Sequence, residues 1–414
     1  MIEILWSGER AWLRSPLFAL AVLALFAATL LVRAAVIGPE ASQAWGYDFD
    51  AFHTGARMTL EGRLVEAYDA TVFRAELYGA EDMYWMYPPH GAMLLAPLGA
   101  LPYGVGGALL LTALVGVTLG LGRALFGDMR GGNALLLLSV PGLFALILGQ
   151  VAPLFAALLI SSLLVAPRRP LLAGLMLALL TVKPQYGLLV PVFLLVRRDW
   201  RVIAAASLGT VVLLLASLAC FGAEAWAAWW HHSGGPARDF IYDNLYASMP
   251  SVYHYAGFLG APQGAASVAQ GAAILLGAAL VALGARLPYL RHIALTLVLT
   301  CAVMPYLWFY DWLPVMAAVL IAARAAERFG VPRALLWLLW LVPFASELSE
   351  PFLDPENAYA LGLFVTQGIN AAEIVAVWGT ALALAYPAIR TTALPVFAPV
   401  NSPAKASGPL SSPS

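Results

Sequence analysis

VIAAASLGTVVLLLASLACF, residues 202–221, carries no charged side chain from end to end. A helix needs roughly 20 apolar residues to cross the hydrocarbon core of a bilayer, and this stretch supplies them. Its surroundings repeat the signal. The chain of 414 residues is 62% apolar and 11% charged, with a mean hydropathy of +0.82. A soluble domain carries roughly 45–50% apolar and about 25% charged residues, so these proportions describe a protein that lives in a membrane. Its net charge of −1 includes no basic stripe, which excludes nucleic acid as a partner. Cys220 and Cys301 lie within or at the ends of apolar runs and read as small core hydrophobes, not as a disulfide or metal site.

Outward from 202–221, apolar runs recur over 17–37, 103–124, 132–148, 151–166, 170–182, 185–196, 265–284, 292–308, 312–323, 334–346 and 371–389. The fold class is therefore an all-α polytopic membrane protein of about 10–13 spanning helices. The run over 17–37 is longer than the roughly 7–15 residues of a cleaved leader and reads as a retained anchor behind Arg10 and Arg14. The two short runs over 170–196 read as a broken or re-entrant pair, which a membrane tolerates only where protein or a cavity covers the backbone. No internal repeat of the kind found in inverted-repeat transporters is visible.

Basic residues set the orientation, because cytoplasmic loops are enriched in Lys and Arg. With the N-terminus inside, Arg123, Arg168, Arg169, Arg197, Arg198, Arg286, Arg291, Arg324 and Arg390 all fall on the cytoplasmic side. Both termini are then cytoplasmic, and the segments 38–102, 222–264 and 347–370 face outward with most of the acidic residues. The membrane domain occupies 1–394, and the Pro-, Ser- and Ala-rich tail over 395–414 is expected to be disordered.

The first outward segment holds the candidate chemistry. Tyr47-Asp48-Phe49-Asp50 opens a helix expected over Phe49–Glu61, with Phe49, Phe52, Ala56 and Thr59 on one face and Gly62 as its stop. Asp48 or Asp50 either caps this helix or serves a substrate, and Asp69 caps a second helix expected to end at Gly79. Tyr87-Pro88-Pro89-His90 leads into a short apolar helix lying along the membrane surface, with Tyr87 and His90 as candidates to line a substrate site. Lys183 follows only about thirteen apolar residues, roughly 20 Å of helix, and so sits at membrane depth. It faces either a lipid phosphate or a carboxylate. Arg238 is a candidate phosphate contact or a partner of Asp239 or Asp243, and Asp311, amid Trp308-Phe309-Tyr310 and Trp312, is a candidate to line the cavity. His231 and His232 lack further ligands at a zinc spacing, so no metal is expected. There is no P-loop, no dinucleotide-binding glycine fingerprint and no His-Glu-x-x-His helix.

DFDAFHTGARMTLEG with a following YD, then YPP, APLGALP, LGQ and KP, in that order over about residues 45–200, resembles glycosyltransferase family 87. That family has the GT-C membrane fold and includes the polyprenol-phosphate-mannose-dependent mannosyltransferases of mycobacterial phosphoinositol mannoside assembly. The resemblance implies a hexose, mannose above all, moved from a polyprenyl-phosphate sugar donor to a lipid or glycan acceptor on the outer side of a bacterial plasma membrane, with no cofactor. It puts a general base at Asp48, a donor-phosphate contact at Lys183 and the Gly-Gln position at Gln150; Phe52 stands where a tyrosine is common in the family. The competing reading from the residues is a transporter or lipid flippase with Asp48 and Lys183 as coupling groups.

Overall fold

The computed structural model describes residues 45–80, 83–126, 134–235, 251–324, 331–332, 334–336, 338–339 and 359–392. The expected anchor over 17–37, Arg238 and the tail over 395–414 lie outside the described residues, as does the first half of 347–370, residues 347–358. Among the described residues there are helices and no strand, and the chain is an all-α membrane protein.

Helix α1 (Tyr47–Leu60) starts two residues earlier than its apolar face suggests. That shift moves Asp48 and Asp50 inside the helix, so neither caps it, and Gly46 holds the N-cap position with no side-chain bond. The Leu148 carbonyl does the capping instead, accepting from Asp48 N at 2.9 Å and Phe49 N at 3.3 Å. A helix start leaves such N–H groups without internal partners, and any well-placed acceptor serves. At the other end Arg63 N donates to Met58 O and Gly62 N to Thr59 O, a Schellman ending around Gly62. Phe49, Phe52, Ala56 and Thr59 are all buried, as their common face requires.

Two short helices follow, α2 (Leu64–Ala67) and α3 (Ala70–Ala75). Asp69 caps α3, its Oδ1 accepting from Thr71 N and Val72 N, but the helix stops at Ala75, short of Gly79. α4 (Pro89–Gly99) begins with proline, whose missing N–H costs nothing in a first turn. It packs on α1 and on α10, the long helix described below.

α5 (Tyr103–Phe126) has the length and composition of a membrane span. The run over 132–148 does not form another. Residues 134–138 turn, and only α6 (Val140–Ile147) is helical, started by Ser139 and Pro141. A proline has no N–H to donate and is tolerated only in a first turn, so a helix starts afresh at Val140 and the apolar run is divided. α7 (Ala152–Val165) packs against α5 and against α8 (Pro170–Leu180). Beyond α8 the chain breaks as the short runs suggest. Lys183 takes a non-helical backbone (φ −124, ψ 74) before Pro184, a 3₁₀ turn covers Pro184–Gly187, and α9 (Val190–Arg197) resumes.

α10 (Trp200–Gly234) extends well past Phe221, so the expected loop from 222 is helical as far as Gly234. Its continuity is broken at Gly222, with φ 73 and ψ 174, a conformation that only glycine adopts without strain. Leu208, Val211, Val212 and Leu215 before the break are exposed, as lipid-facing residues of a span should be. α11 (Val252–Phe258) and α12 (Gln263–Leu283) lead to α13 (Tyr289–Val303), which is buried along nearly its whole length. α13 lies between α14 (Leu313–Arg324) and α15 (Tyr359–Thr392). Arg291, placed among the cytoplasmic charges above, is buried and donates to the carbonyls of Leu384 and Ala383 on α15.

Candidate functional site

The first turn of α1, the α6–α7 junction, the break after α8 and the 3₁₀ turn at Phe309–Trp312 converge on one cavity of about 360 Å³. Asp48, Gln150, Lys183, Tyr87 and Tyr310 all line it, together with Trp229 and Tyr306. Asp48 is brought there by backbone contact. Gly149 has φ +66, and a Cβ on it would lie 2.5 Å from Trp45 O and 2.6 Å from Phe49 Cβ. Only glycine lets the 148–149 peptide approach α1 closely enough for Leu148 to cap it. The next residue, Gln150, then reaches back and donates from Nε2 to Asp48 Oδ2 at 2.8 Å.

The carboxyl of Asp48 is pushed up to about 6. Burial is the main cause and the nearby Asp311 charge adds to it, while the Gln150 hydrogen bond and the Lys183 ammonium pull the other way. A carboxylate that titrates near neutrality is matched to taking a proton from a hydroxyl in a reaction run at neutral pH. Burial also drives the Tyr87 phenol well above its ordinary value, so it stays protonated beside the two carboxylates.

Lys183 meets a carboxylate, as one of its two readings required: Nζ donates to Asp311 Oδ1 at 2.7 Å. The Tyr186 hydroxyl donates to the same oxygen at 2.8 Å, and Trp308 N to Oδ2 at 3.3 Å. The ammonium also lies 5.3 Å from the Tyr310 ring centre and 5.5 Å from that of Tyr186. An ammonium has three donors, and the Asp311 bond uses one. Asp311 is fully buried behind Lys183 and does not itself line the cavity, so its part is to hold the lysine.

Two further candidates lie off the cavity wall. Asp50 points away from the cavity: Tyr78 N donates to its Oδ1, and Gly79 N and Ala80 N to its Oδ2, at 2.8–3.0 Å. Those bonds tie the end of the α3 connection to α1 and occupy both oxygens. His90 is buried on the inner face of α4, 3.3 Å from Thr181 Oγ1 and stacked on Trp226 at 5.7 Å, and it does not line the cavity. Trp229, Tyr306 and Tyr310 also line it, and no spacing in the sequence singles them out as site residues. Trp229 Nε1 donates to Met86 O at 3.2 Å and so pins the 83–88 strip that forms one wall. Among the described residues no three His, Cys, Asp or Glu gather where they could hold a metal ion.

A carboxylate and an ammonium thus stand on the wall of one aromatic cavity in a helical membrane protein. The model of glycosyltransferase family 87 matches residues 85–309, more than half of the chain, and the chain belongs to that family. It is therefore a membrane glycosyltransferase, and family membership selects the enzyme over the transporter or lipid flippase. The match reaches far beyond residue 200, where the motif resemblance stops, and it includes Tyr87, Gln150 and Lys183 but begins after Asp48. No curated protein and no solved structure matches the chain.

Proposed function

We propose that this protein transfers a hexose, mannose first among the candidates, from a polyprenyl-phosphate donor to a hydroxyl of a lipid or glycan acceptor. The reaction runs without a metal on the outer side of a bacterial plasma membrane, where the segment bearing α1 to α4 faces, with both termini cytoplasmic. The observation that carries this reading is the presence of Asp48 and Lys183 on the wall of one cavity, the first half-buried and the second almost fully so.

The chemistry needs little else. The acceptor oxygen attacks the anomeric carbon from the face opposite the phosphate, and the carbon–oxygen bond to phosphate breaks with its electron pair. The hydroxyl proton passes to Asp48, and the anomeric centre is inverted. A phosphate is a stable leaving group, so no general acid is required. The Lys183 ammonium, with donors left over from its bond to Asp311, stabilises the charge that gathers on the phosphate. Tyr87, Trp229, Tyr306 and Tyr310 offer aromatic faces to the sugar and to the first isoprenyl units.

The test is sugar transfer from decaprenyl-phosphate mannose to extracted membrane lipids by the purified protein in liposomes, with EDTA present. Asp48→Asn should remain folded and lose about 10²–10⁴ in rate, the usual contribution of a general base. A folded Asp48→Asn protein that transfers at the wild-type rate would sink the assignment.

A further inference from the structure

Two hydroxyls on the cavity wall are not used by the fold. Tyr87 and Tyr310 both line the cavity, and neither hydroxyl bonds to another described residue. The other phenols nearby are engaged. Tyr186 donates to Asp311, Tyr84 accepts from Arg74, and Tyr306 accepts from Trp308 Nε1.

Tyr87 is held from behind. Its carbonyl accepts from the Tyr68 hydroxyl at 2.8 Å, and its ring packs edge-on to Phe52 at 5.4 Å and along Phe155 at 6.5 Å. Its hydroxyl stands in the fields of Asp311 and Asp48. Asp48 belongs to α1 and Asp311 to the 3₁₀ turn, and the cavity lies between those elements, so the hydroxyl is directed into it. Tyr310 stands in the fields of the same two carboxylates and beside Tyr87. Its ring is stacked on Trp308, with the Lys183 ammonium 5.3 Å from its centre. Two hydroxyls and the ammonium therefore share one part of the chamber.

Charge decides what they can do. Among the described residues at the site, Asp48 and Asp311 are acidic and Lys183 is basic, which leaves one negative charge when Asp48 is ionised. A phosphodiester donor brings another. Once its bond to the sugar breaks, the released monoester carries about −1.5 to −2 at neutral pH. One ammonium already paired to a carboxylate does not balance that. Neutral donors aimed at the developing oxyanion take up the difference without altering the charge count. The Tyr87 phenol, kept protonated beside the carboxylates, can only donate to such an anion.

We propose that the Tyr87 and Tyr310 hydroxyls donate to the phosphate oxygens of the donor and complete, with Lys183, the cradle in which the leaving charge develops. The proposal rests on the reading of the donor as a polyprenyl-phosphate sugar. As the anomeric carbon–oxygen bond breaks, its electron pair stays on the phosphate oxygen. The phenol protons remain on the tyrosines, and the one proton transferred goes from the acceptor hydroxyl to Asp48.

The experiment uses Tyr87→Phe and Tyr310→Phe in the full-length protein. Neither change removes a bond within the protein, so both variants should melt with the wild type. In each, kcat for transfer from decaprenyl-phosphate mannose should fall about 10–100-fold, the worth of a hydrogen bond to a charged group. Donor KM should change less, because the intact diester carries less charge. Decaprenyl phosphate, which has no sugar, is then titrated against melting temperature, with decaprenol as the uncharged control. Affinity for decaprenyl phosphate should fall about tenfold in both variants. The proposal is overturned if a folded variant keeps wild-type kcat and decaprenyl-phosphate affinity. It is also overturned if donor KM rises while that affinity holds, which puts the hydroxyls on the sugar. A variant that melts early removes its hydroxyl from the cradle, since that group then serves the fold. Wild-type protein that does not respond to decaprenyl phosphate overturns the donor reading itself, and the cradle with it.

Discussion

Removing Asp311 and Lys183 singly and together separates what this pair does for the fold from what it does for the substrate. The two charges lie 2.7 Å apart, and at an effective dielectric of about 20 they attract by about 6 kcal/mol. Desolvating each ion costs several kcal/mol, so the intact pair is close to neutral for stability. Breaking it is another matter. Asp311→Asn leaves the ammonium against a neutral partner, and Lys183→Met leaves a carboxylate with only the Tyr186 hydroxyl and Trp308 N–H. Each single change should lower stability by about 3 kcal/mol. In the double variant neither charge of the pair remains, and Asn can still accept from Tyr186, so stability should return to within about 1 kcal/mol of wild type. Unfolding by titrated SDS measures all four proteins. The transfer assay then reads a different pattern: Asp311→Asn keeps donor affinity, because its ammonium is intact, whereas Lys183→Met and the double variant lose it. A double variant that recovers both stability and donor affinity would refute the role of Lys183 toward phosphate.

Two further outcomes bear on the frame around the site. Asp50→Ala should leave the Asp48 carboxylate in place but destabilise the protein by about 2–3 kcal/mol, since charged hydrogen bonds to backbone N–H groups are lost and the one at Ala80 is buried; an unchanged melting temperature would contradict it. Cysteines at Glu66 and Arg198, both exposed, should label differently with an impermeant reagent in intact spheroplasts, the first reacting and the second protected. The reverse pattern would invert the topology.

Local rules made α1 legible. Phe49, Phe52 and Ala56 mark its buried face and Gly62 its end, and a lysine before a proline between two short apolar runs points to the break at Lys183. What local rules cannot read is which distant group a polar side chain meets. Asp48 and Gln150 are 102 positions apart, and Lys183 and Asp311 are 128 apart. The partners of Asp50 are backbone N–H groups, which every residue but proline possesses, so nothing in the residue types of 78–80 betrays them. His90 was drawn toward the site by its place beside Tyr87, yet the next helical position turns it behind the wall. Gln150 did carry a usable signal. A glycine directly before a glutamine, between two apolar helices, marks a sharp backbone approach with a polar side chain mounted on it.

The break at Gly222 gives α10 two duties. From Trp200 to the break it is about 33 Å long, close to the roughly 30 Å thickness of a hydrocarbon core. Past the break the same rod carries Trp226, stacked on His90, and Trp229, hydrogen-bonded to Met86 on the cavity wall. A lipid-facing shaft and a chamber wall are thus one piece with a single joint between them. A thinner or thicker bilayer tilts a span of fixed length, and a glycine joint is where the shaft can take up that tilt while Trp226 and Trp229 keep their contacts on the chamber wall.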